Sequence, residues 1–241
     1  MKILALDSSA VVASVALADG ETLLAEYTLN RGNTHSESLL PMVESVLSKA
    51  GVTVRDIDLF AASVGPGSFT GVRIGVATLK GLAFGQDKPC VGVSTLEALA
   101  QNLNVFPGVL VCPVMNARRN QFYTALFRNT ASGQERLLAD SALSAEELDE
   151  FLKRYEEPVY LVGDGYELAK QLLIHPTAQT QPRLRLQSAA SVAAVALRMA
   201  NAGLTCDDKT IAPVYLRPCQ AERERNARIA KENESRKEIN P

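Results

Sequence analysis

The stretch GPGSFTGVRIG at residues 65–75 has residue types and spacing that indicate a specific kind of site more clearly than any other part of the chain. Its first glycines fall where a predicted strand meets a predicted helix, and backbone N–H groups at such a junction hold a phosphate well when no side chain intrudes. Glycine costs about 1 kcal/mol relative to alanine inside a helix. Gly71, Gly75, Gly81 and Gly85 in one predicted helical run therefore need a steric reason. The pattern predicts close approach of either a phosphate or another backbone.

Few other residues are candidates for catalysis. Asp7 follows the first predicted strand, where an aspartate could bind near a metal or cap the following turn. Arg118 and Arg119 fall in a predicted hairpin, where they could bind a phosphate, contact a partner or face solvent. His35 and His175 are the two histidines, and His35 has no histidine or acid three or four residues later. HExxH and GxSxG motifs are absent, so no zinc protease or serine hydrolase is indicated.

Size and charge indicate two lobes and argue against a free-standing nucleic-acid binder. The chain has 241 residues, 46% hydrophobic content and a net charge of −2, which is enough for one large core or two modest ones. Residues 1–106 hold seven Lys/Arg and ten Asp/Glu, and residues 107–220 hold twelve of each, so neither part has a basic footprint. The four cysteines show no paired spacing and follow no signal peptide. We therefore expect a reduced cytoplasmic protein without a membrane span.

The order of predicted elements repeats once along the chain. In the first half, three strands and a helix are followed by two strand-helix units: 3–6, 11–17, 23–27, 37–50, 57–64, 68–85, 91–93 and 94–103. The second half follows the same plan: 109–115, 121–127, 135–138, 144–155, 159–162, 166–173 and 188–202. Ser68 or Thr70 is predicted to cap the helix at 68–85. We predict an N-terminal lobe at 1–106, a C-terminal lobe at 107–220, and a charged tail at 221–241 that is an exposed helix or disordered.

Five segments together resemble the TsaB family, also called YeaZ. They are HSE…LP at 35–41, GPGSFTGVRIG at 65–75, GVST at 92–95, NARR at 116–119 and PVYLR at 213–217. The most specific element supplies the structural signature Gly65, Pro66, Gly67, Ser68, Phe69, Thr70 and Arg73. The resemblance extends to about residue 224. With the repeated element order, it implies an α/β, two-lobed fold of the actin, Hsp70 and acetate or sugar kinase type, with a mixed sheet and flanking helices in each lobe.

The resemblance also implies a function. Members of this family are the non-catalytic dimerization subunit of the bacterial complex that makes threonylcarbamoyladenosine in tRNA. The related subunit TsaD transfers threonylcarbamoyl to adenosine 37 of tRNAs that read codons beginning with A, and the ATPase TsaE completes the assembly. The expected partners are thus TsaD and TsaE, with a homodimer when the chain is alone and tRNA only through the complex.

Several residues argue against independent catalysis within this resemblance. TsaD carries an HxxxH pair of metal ligands, and the matching places here hold Thr95 and Leu99, neither of which replaces imidazole. The hairpins at 7–12 and 116–121, which hold phosphates in active relatives, contain no glycine. We expect no catalytic residue, no metal and no cofactor of its own, with ATP or ADP only at a subunit boundary. The alternatives are a stand-alone ATP-dependent kinase or nucleotide hydrolase, and a glycoprotease-like hydrolase.

Two helices of the first lobe carry features of a partner interface. The helix at 37–50 has apolar side chains over about 160° at ~100° per residue, and glycines in the helix at 68–85 would allow a second helix to approach closely. Packing of these glycines against the lobe's own sheet is the alternative. We predict an interface with TsaD, or with a second copy, that includes Leu39, Met42, Val43, Val46, Gly71, Gly75 and Thr78.

Overall fold

The computed structural model describes residues 1–32, 34–104, 107–131 and 133–217 as two lobes, each built on a five-stranded mixed sheet. The first sheet contains β1 (Lys2–Asp7), β2 (Ala13–Asp19), β3 (Thr22–Leu29), β4 (Leu59–Gly65) and β5 (Cys90–Ser94). The second contains β6 (Leu110–Asn116), β7 (Gln121–Thr130), β8 (Gly133–Ser144), β9 (Val159–Val162) and β10 (Thr177–Ala178). Their spatial orders, β3-β2-β1-β4-β5 and β8-β7-β6-β9-β10, correspond strand by strand. The predicted repeat and the two-lobed α/β fold are confirmed.

Helices cover both sheets. They are α1 (His35–Ala50), α2 (Phe69–Ala83), α3 (Thr95–Gln101), α4 (Ala145–Leu152), α5 (Tyr166–Leu172) and α6 (Ala189–Asn201), with short 3-10 helices at Val54–Asp56 and Pro182–Arg185. Gly51 ends α1 as predicted, in the left-handed conformation at φ 65°. Ser68 caps α2, because its side-chain oxygen accepts the N–H of Gly71. However, α2 ends at Ala83, so Gly85 lies beyond the helix that was predicted to contain it.

The centre of the first sheet forms the core of the first lobe. β1 pairs antiparallel with β2 and parallel with β4. Side chains alternate between the faces of a strand, so Leu4 and Leu6 pack beneath α1 and α2, while Ile3 and Ala5 pack beneath α6. The apolar run that predicted a buried strand therefore supplies both faces of the sheet.

Each half of the chain contributes a helix to the other lobe. α6, from the second half, packs on the first sheet through Val192 and Ala196. α3, from the first half, packs on the second sheet through Leu96 and Leu99. The predicted boundary between residues 106 and 107 therefore does not separate the two packing units, because these helices cross it. Residues 105 and 106 and the predicted tail at 221–241 lie outside the described residues.

The chain returns to the first lobe after α6. Cys206 pairs with Cys90 at the edge of β5 through backbone hydrogen bonds of 2.8 and 2.9 Å, and Ile211 is buried in the core under α1 and α2. This return brings residues 213–217 back to the junction between the lobes. Sequence patterns do not predict β10 or the 3-10 helices, since elements of two to four residues are too short to show a period. Within the described ranges, no helix has the length and apolar content needed to cross a bilayer.

Candidate functional site

A cleft of about 630 Å³ lies between the lobes. Corresponding turns from the two lobes line it, namely the β1–β2 turn and the β6–β7 hairpin. The β4–α2 turn and residues 214–217 complete the wall on the side of the first lobe. These turns include the hairpins in which the sequence suggested phosphate binding, so the cleft is the candidate functional site.

The carboxylate of Asp7 is buried beneath this cleft, and both of its oxygens accept internal hydrogen bonds. Its Oδ1 accepts from the Ser9 backbone N–H (2.9 Å) and the Ser9 hydroxyl (2.7 Å), and its Oδ2 accepts from the Ser63 hydroxyl (2.6 Å). Burial raises the pKa of Asp7, and the hydrogen bonds from Ser63 and Ser9 oppose this shift. Of the two roles suggested by the sequence, this geometry favours the turn cap over a metal ligand.

Glycines let the β1–β2 turn pack directly on the start of α2. A methyl group on Gly67 would lie 2.3 Å from the carbonyl oxygen of Ser9, and one on Gly71 would lie 2.1 Å from the carbonyl oxygen of Ser8. The Ser8 hydroxyl donates to the Gly71 carbonyl at 2.9 Å. Close backbone approach within the lobe therefore accounts for these two glycines.

The predicted partner role of Gly71 and Gly75 needs correction. A methyl group on Gly75 would meet the Ser8 hydroxyl at 2.4 Å, so both glycines face the lobe's own turn and are buried. Thr78 is half-buried and remains on the accessible part of α2. Gly81 differs from both, because no atom lies within 4 Å of the place that its side chain would occupy.

The returning C-terminal segment explains Gly65. This residue has a φ of 116°, and a methyl group on it would lie 2.4 Å from the carbonyl oxygen of Val214. The Val214 N–H donates to the carbonyl of Val64 at 2.7 Å. Pro66 is buried beside this contact, and Thr70 is exposed on the cleft wall. The first part of the signature thus holds residues 213–217 against the first lobe.

Phe69 and Arg73 hold the same segment through its tyrosine. The rings of Phe69 and Tyr215 are 4.8 Å apart, and the Arg73 guanidinium lies 3.8 Å from the centre of the Phe69 ring. Arg73 Nε also donates to the Tyr215 hydroxyl at 2.8 Å. Both segments carry the family resemblance, but no sequence pattern pairs them, because 142 residues separate Arg73 from Tyr215.

The β6–β7 hairpin presents arginines where the corresponding turn of the first lobe presents small residues. Arg118, Arg119 and Asn120 all have positive φ, between 54° and 64°. The Arg118 N–H donates to the Asn116 side chain at 2.8 Å, which fixes the start of this turn. Both arginine side chains are exposed, and Arg118 lines the cleft.

The second lobe also contributes Asp164. Its carboxylate accepts the backbone N–H of Asn116 at 3.2 Å, and loss of hydration against the cleft wall raises the pKa of Asp164. Unlike Asp7, it faces the cleft. It lies between two glycines, and a methyl group on Gly165 would lie 2.9 Å from the Val114 carbonyl oxygen.

The predicted interface residues of α1 also need correction. Leu39, Met42, Val43 and Val46 are at most 4% exposed and belong to the core of the first lobe. α1 packs against β2, β3 and α2. Because it contacts a helix as well as the sheet, it buries a wider apolar face than a helix that lies on a sheet alone. The apolar width therefore reflects internal packing, and Leu40, at 46% exposure, is the large apolar side chain of α1 that faces outward.

The residues at the two places where the resemblance to TsaD implies metal ligands lie in the core. Thr95 is buried, and its hydroxyl has no hydrogen-bond partner among the described residues. Leu99 is buried against the second sheet. His35 Nε2 forms a hydrogen bond with the Ala10 carbonyl oxygen at 2.7 Å, so this histidine holds α1 to the β1–β2 turn. In the part of the chain described, no three His, Cys, Asp or Glu side chains are grouped to hold a metal ion.

Comparisons with known proteins agree on one family. A family model described as "TsaD: tRNA N6-adenosine threonylcarbamoyltransferase" matches residues 22–224. The TsaB protein of Escherichia coli (strain K12), described as a tRNA threonylcarbamoyladenosine biosynthesis protein, is 32% identical over 223 residues, or 90% of this chain and 95% of that protein. The protein of the same description from Bacillus subtilis (strain 168) is 37% identical over 173 residues, or 72% of this chain and 75% of the relative.

The fold agrees with these sequence relationships. A solved structure of YeaZ from Pseudomonas aeruginosa superposes with a TM-score of 0.77 at 28% identity, covering 89% of this chain and 99% of that one. The signature residues that resemble the family are also those that join the β1–β2 turn, α2 and the returning segment around the cleft. The chain therefore belongs to the TsaB (YeaZ) branch of the TsaD-related family and has a role in tRNA threonylcarbamoyladenosine biosynthesis.

Proposed function

We propose that this chain is a non-catalytic subunit that binds TsaD through the outward surface of α1 and α2. In doing so it stabilises the productive arrangement of TsaD, which transfers threonylcarbamoyl to adenosine 37 of tRNAs that read codons beginning with A. TsaE joins the assembly, ATP or ADP binds at a subunit boundary, and the complex works in the cytoplasm. The observation that carries the proposal is an uncharged strip on α2 whose exposed members, Ala77, Gly81 and Phe84, are not explained by the chain's own packing.

This strip runs along one side of α2 at helical spacing. It consists of Ile74, Ala77, Thr78, Gly81 and Phe84, which are half-buried or exposed and carry no charge. Phe84, just past the end of the helix, is 75% exposed. An accessible, uncharged helix face followed by an exposed aromatic side chain suits a protein–protein contact.

Gly81 indicates that a partner helix approaches the strip closely. It lies inside a helix, where glycine costs about 1 kcal/mol relative to alanine, yet its missing side chain relieves no clash within the chain. A helix of a partner that approaches Gly81 would supply the missing reason, since small residues allow two helix axes to come close. α1 packs beside α2, and its Leu40 is also exposed, so we include Leu40 in the proposed interface.

The lack of independent catalysis is supported by the cleft. Asp7 is 1% exposed and has both carboxylate oxygens in internal hydrogen bonds, which argues against a role in binding a metal or a substrate. Thr95 and Leu99, both buried, stand at the positions where the resemblance to TsaD implies metal ligands. The hairpins on the two sides of the cleft have side chains where a phosphate cradle needs glycine. Binding rather than chemistry is therefore the proposed role.

Charge insertion on the outward surface tests the interface. We expect Leu40→Lys to weaken binding to TsaD at least tenfold in titration calorimetry, about 1.4 kcal/mol, with an unchanged circular dichroism spectrum of the free chain. Ile174→Lys is the matched control, because Ile174 is an apolar side chain of the second lobe that is 91% exposed. Unchanged TsaD affinity in Leu40→Lys, or equal loss in the control, would remove this interface. Met42→Glu is unsuitable, because it would place a charge in the core.

Gly81→Ala separates folding from binding. The substitution should stabilise the free chain by about 1 kcal/mol, because the added methyl group meets open space. The same methyl group should weaken TsaD binding if a partner helix lies against Gly81. Higher free-chain stability with unchanged TsaD affinity would move the contact away from this part of α2.

Omission from a reconstituted reaction tests the function itself. Purified TsaD, TsaE, threonylcarbamoyl-adenylate donor and unmodified tRNA are combined with and without this chain, and modified adenosine is measured by nucleoside mass spectrometry. We expect modification to require the chain. Titration of the isolated chain with Mg-ATP addresses the kinase and hydrolase alternative, for which tight binding by the chain alone is the diagnostic result.

A further inference from the structure

Four arginines line the interlobe cleft or lie next to residues that line it. Arg118 and Arg217 line it directly, Arg119 is next to Arg118 at the tip of the β6–β7 hairpin, and Arg73 lies on α2 beside the cleft residue Tyr215. Both lobes and the returning segment therefore contribute positive charge to one rim. We refer to these four arginines as the arginine rim.

No carboxylate pairs with the arginine rim among the described residues. Arg73 donates to the Tyr215 hydroxyl, and Arg217 donates to the side-chain oxygen of Gln121, so their partners are neutral. Arginines elsewhere do form ion pairs: Arg128 with Glu157, Arg136 with Glu97 and Asp140, Arg185 with Glu167, and Arg198 with Glu97. Within a chain of net charge −2, the rim is thus a local concentration of uncompensated positive charge.

The rim is also partly fixed in position. The Arg73 guanidinium is held between Phe69 and the Tyr215 hydroxyl, while the hydrogen bond from Arg217 to Gln121 ties the returning segment to the base of the hairpin. Holding these side chains in place reduces the entropy that a bound anion would otherwise have to overcome. The Tyr215 ring remains 41% exposed beside them.

Asp164 limits how an anion can bind. Its carboxylate faces the interior of the cleft, so a compact polyphosphate would meet a negative charge at depth. The arginines instead come from three segments, namely α2, the β6–β7 hairpin and the returning segment. This arrangement suits an extended chain of phosphates better than a single nucleotide, and the exposed tyrosine suits a base that can stack on it.

We propose that the arginine rim binds the sugar–phosphate backbone of single-stranded RNA, so that this chain touches the RNA substrate of its pathway directly. Guanidinium groups bind phosphate oxygens through paired hydrogen bonds, and charge on both lobes allows one strand to cross the mouth. The choice of RNA rests on the proposed function, whereas the cationic surface stands on the geometry alone. Because the chain has no wider basic footprint, the contact adds to binding by a complex and is weak in isolation.

Fluorescence anisotropy with the isolated chain tests this proposal without TsaD. The probe is a labelled 12-nucleotide RNA of mixed sequence, titrated between 20 and 200 mM salt, with concentrations in the micromolar to millimolar range that weak binding requires. Four phosphate contacts predict a slope of roughly −3 in a plot of log affinity against log salt, since a single strand gives ~0.7 per contact. The double variant R118A/R119A should bind at least tenfold more weakly at low salt, with a slope of about −1.4.

A matched variant controls for net charge. R55A/R183A removes two exposed arginines that line no part of the cleft, and it should change the affinity less than twofold. Equal loss in both double variants, or no RNA binding by the wild-type chain at low salt, would overturn the proposal. Displacement of the RNA by polyglutamate at equal charge concentration would assign the rim to an acidic protein instead. Retained TsaD binding by R118A/R119A shows that a failed RNA contact leaves the proposed interface intact.

Discussion

The two lobes share one strand order but differ in the helices that cover their sheets. In the first lobe, α1 has 16 residues and α2 has 15. The helices in the corresponding places of the second lobe, α4 and α5, have 8 and 7. A helix rises about 1.5 Å per residue, so the helices of the first lobe are about twice as long. Since both sheets have five strands, the added length is not required to cover a wider sheet.

The added length gives the first lobe an outer surface as well as a core. On its inner side, α2 contacts the β1–β2 turn through Gly71 and Gly75, and on its outer side it carries the uncharged strip around Gly81. In the second lobe, Gly165 precedes α5 and lies close to the Val114 carbonyl oxygen, and α5 itself has about two turns. Duplicated lobes thus acquire different roles: one retains a minimal cover, and the other becomes the proposed docking element.

The largest expected effect comes from filling the glycine contacts of the two lobes. Gly71→Ala would force a methyl group to 2.1 Å from a backbone oxygen, whereas Gly165→Ala gives 2.9 Å. Overpacking of this kind typically costs 1–3 kcal/mol and occasionally more, so we expect a loss of about 3 kcal/mol for Gly71→Ala and about 1 kcal/mol for Gly165→Ala. Chemical denaturation of each purified variant measures the difference.

Gly81→Ala is the internal control for this pair, because it adds the same methyl group to the same helix without a clash. Its expected gain of about 1 kcal/mol reports the helix propensity that also acts at Gly71. Similar losses for Gly71→Ala and Gly165→Ala would mean that the two turns tolerate close contact equally, and the proposed difference between the lobes would not hold at this point.

The next effect concerns one aspartate from each lobe. Asp7→Ala would leave the Ser9 N–H and the Ser9 and Ser63 hydroxyls without their acceptor in a buried site. Unsatisfied buried groups cost about 1–3 kcal/mol, so we expect a loss of about 2 kcal/mol. Asp164→Ala removes an acceptor from a residue that faces the cleft, and its unfolding free energy should change by less than about 0.5 kcal/mol.

The unfolding free energy should also depend on pH through Asp7. Burial raises its pKa in the folded chain above the ordinary value of 3.8. The folded state therefore binds this proton more tightly than the unfolded state, and the resulting stabilisation is lost as pH rises through the folded pKa. Relative to Asp7→Asn, the wild-type unfolding free energy should increase as pH is lowered from 7 toward the ordinary value of 3.8. A constant difference between the two proteins would contradict the raised pKa.

The sequence predicted the order of helices and strands along the chain and the need for close contact at Gly71 and Gly75, because both leave local signals. Alternating and continuous apolar runs marked most strands, and glycine inside a helical run marked steric constraint at Gly71 and Gly75. The partner in that constraint could not be predicted. Ser8 is 63 residues away from Gly71 in the chain. A glycine indicates that something lies close to it, but not which residue that is.

The interface residues were misplaced for a related reason. An apolar face of about 160° on α1 exceeds what one sheet would cover, but α2 and β3 also pack against this helix. Met42 and Val46 are consequently buried. The sequence also could not predict that α3 and α6 pack on the sheet of the other lobe, since the strands they contact are far away in the chain. Periodicity predicts how wide the buried apolar face of a helix is, but only the folded structure shows which elements cover it.

The smallest expected effect compares buried cysteines from the two sheets. Burial raises the pKa of Cys90 to about 11 and that of Cys112 to about 12, so both thiols should react slowly with iodoacetamide at pH 8. Cys90 lies at a sheet edge that the Cys206 segment covers, whereas Cys112 lies in the central strand of the second sheet. Local release of the returning segment would expose Cys90, but Cys112 needs the lobe to unfold.

We therefore expect Cys90 to be labelled at least tenfold faster than Cys112 under native conditions, as measured by peptide mass spectrometry over time. Val214→Pro would sharpen the test, because it removes the N–H that donates to the Val64 carbonyl. It should accelerate labelling of Cys90 and leave the rate at Cys112 nearly unchanged. Equal rates at the two cysteines would instead show that the returning segment opens only with the whole protein. The edge of the first lobe would then be as firmly closed as the centre of the second.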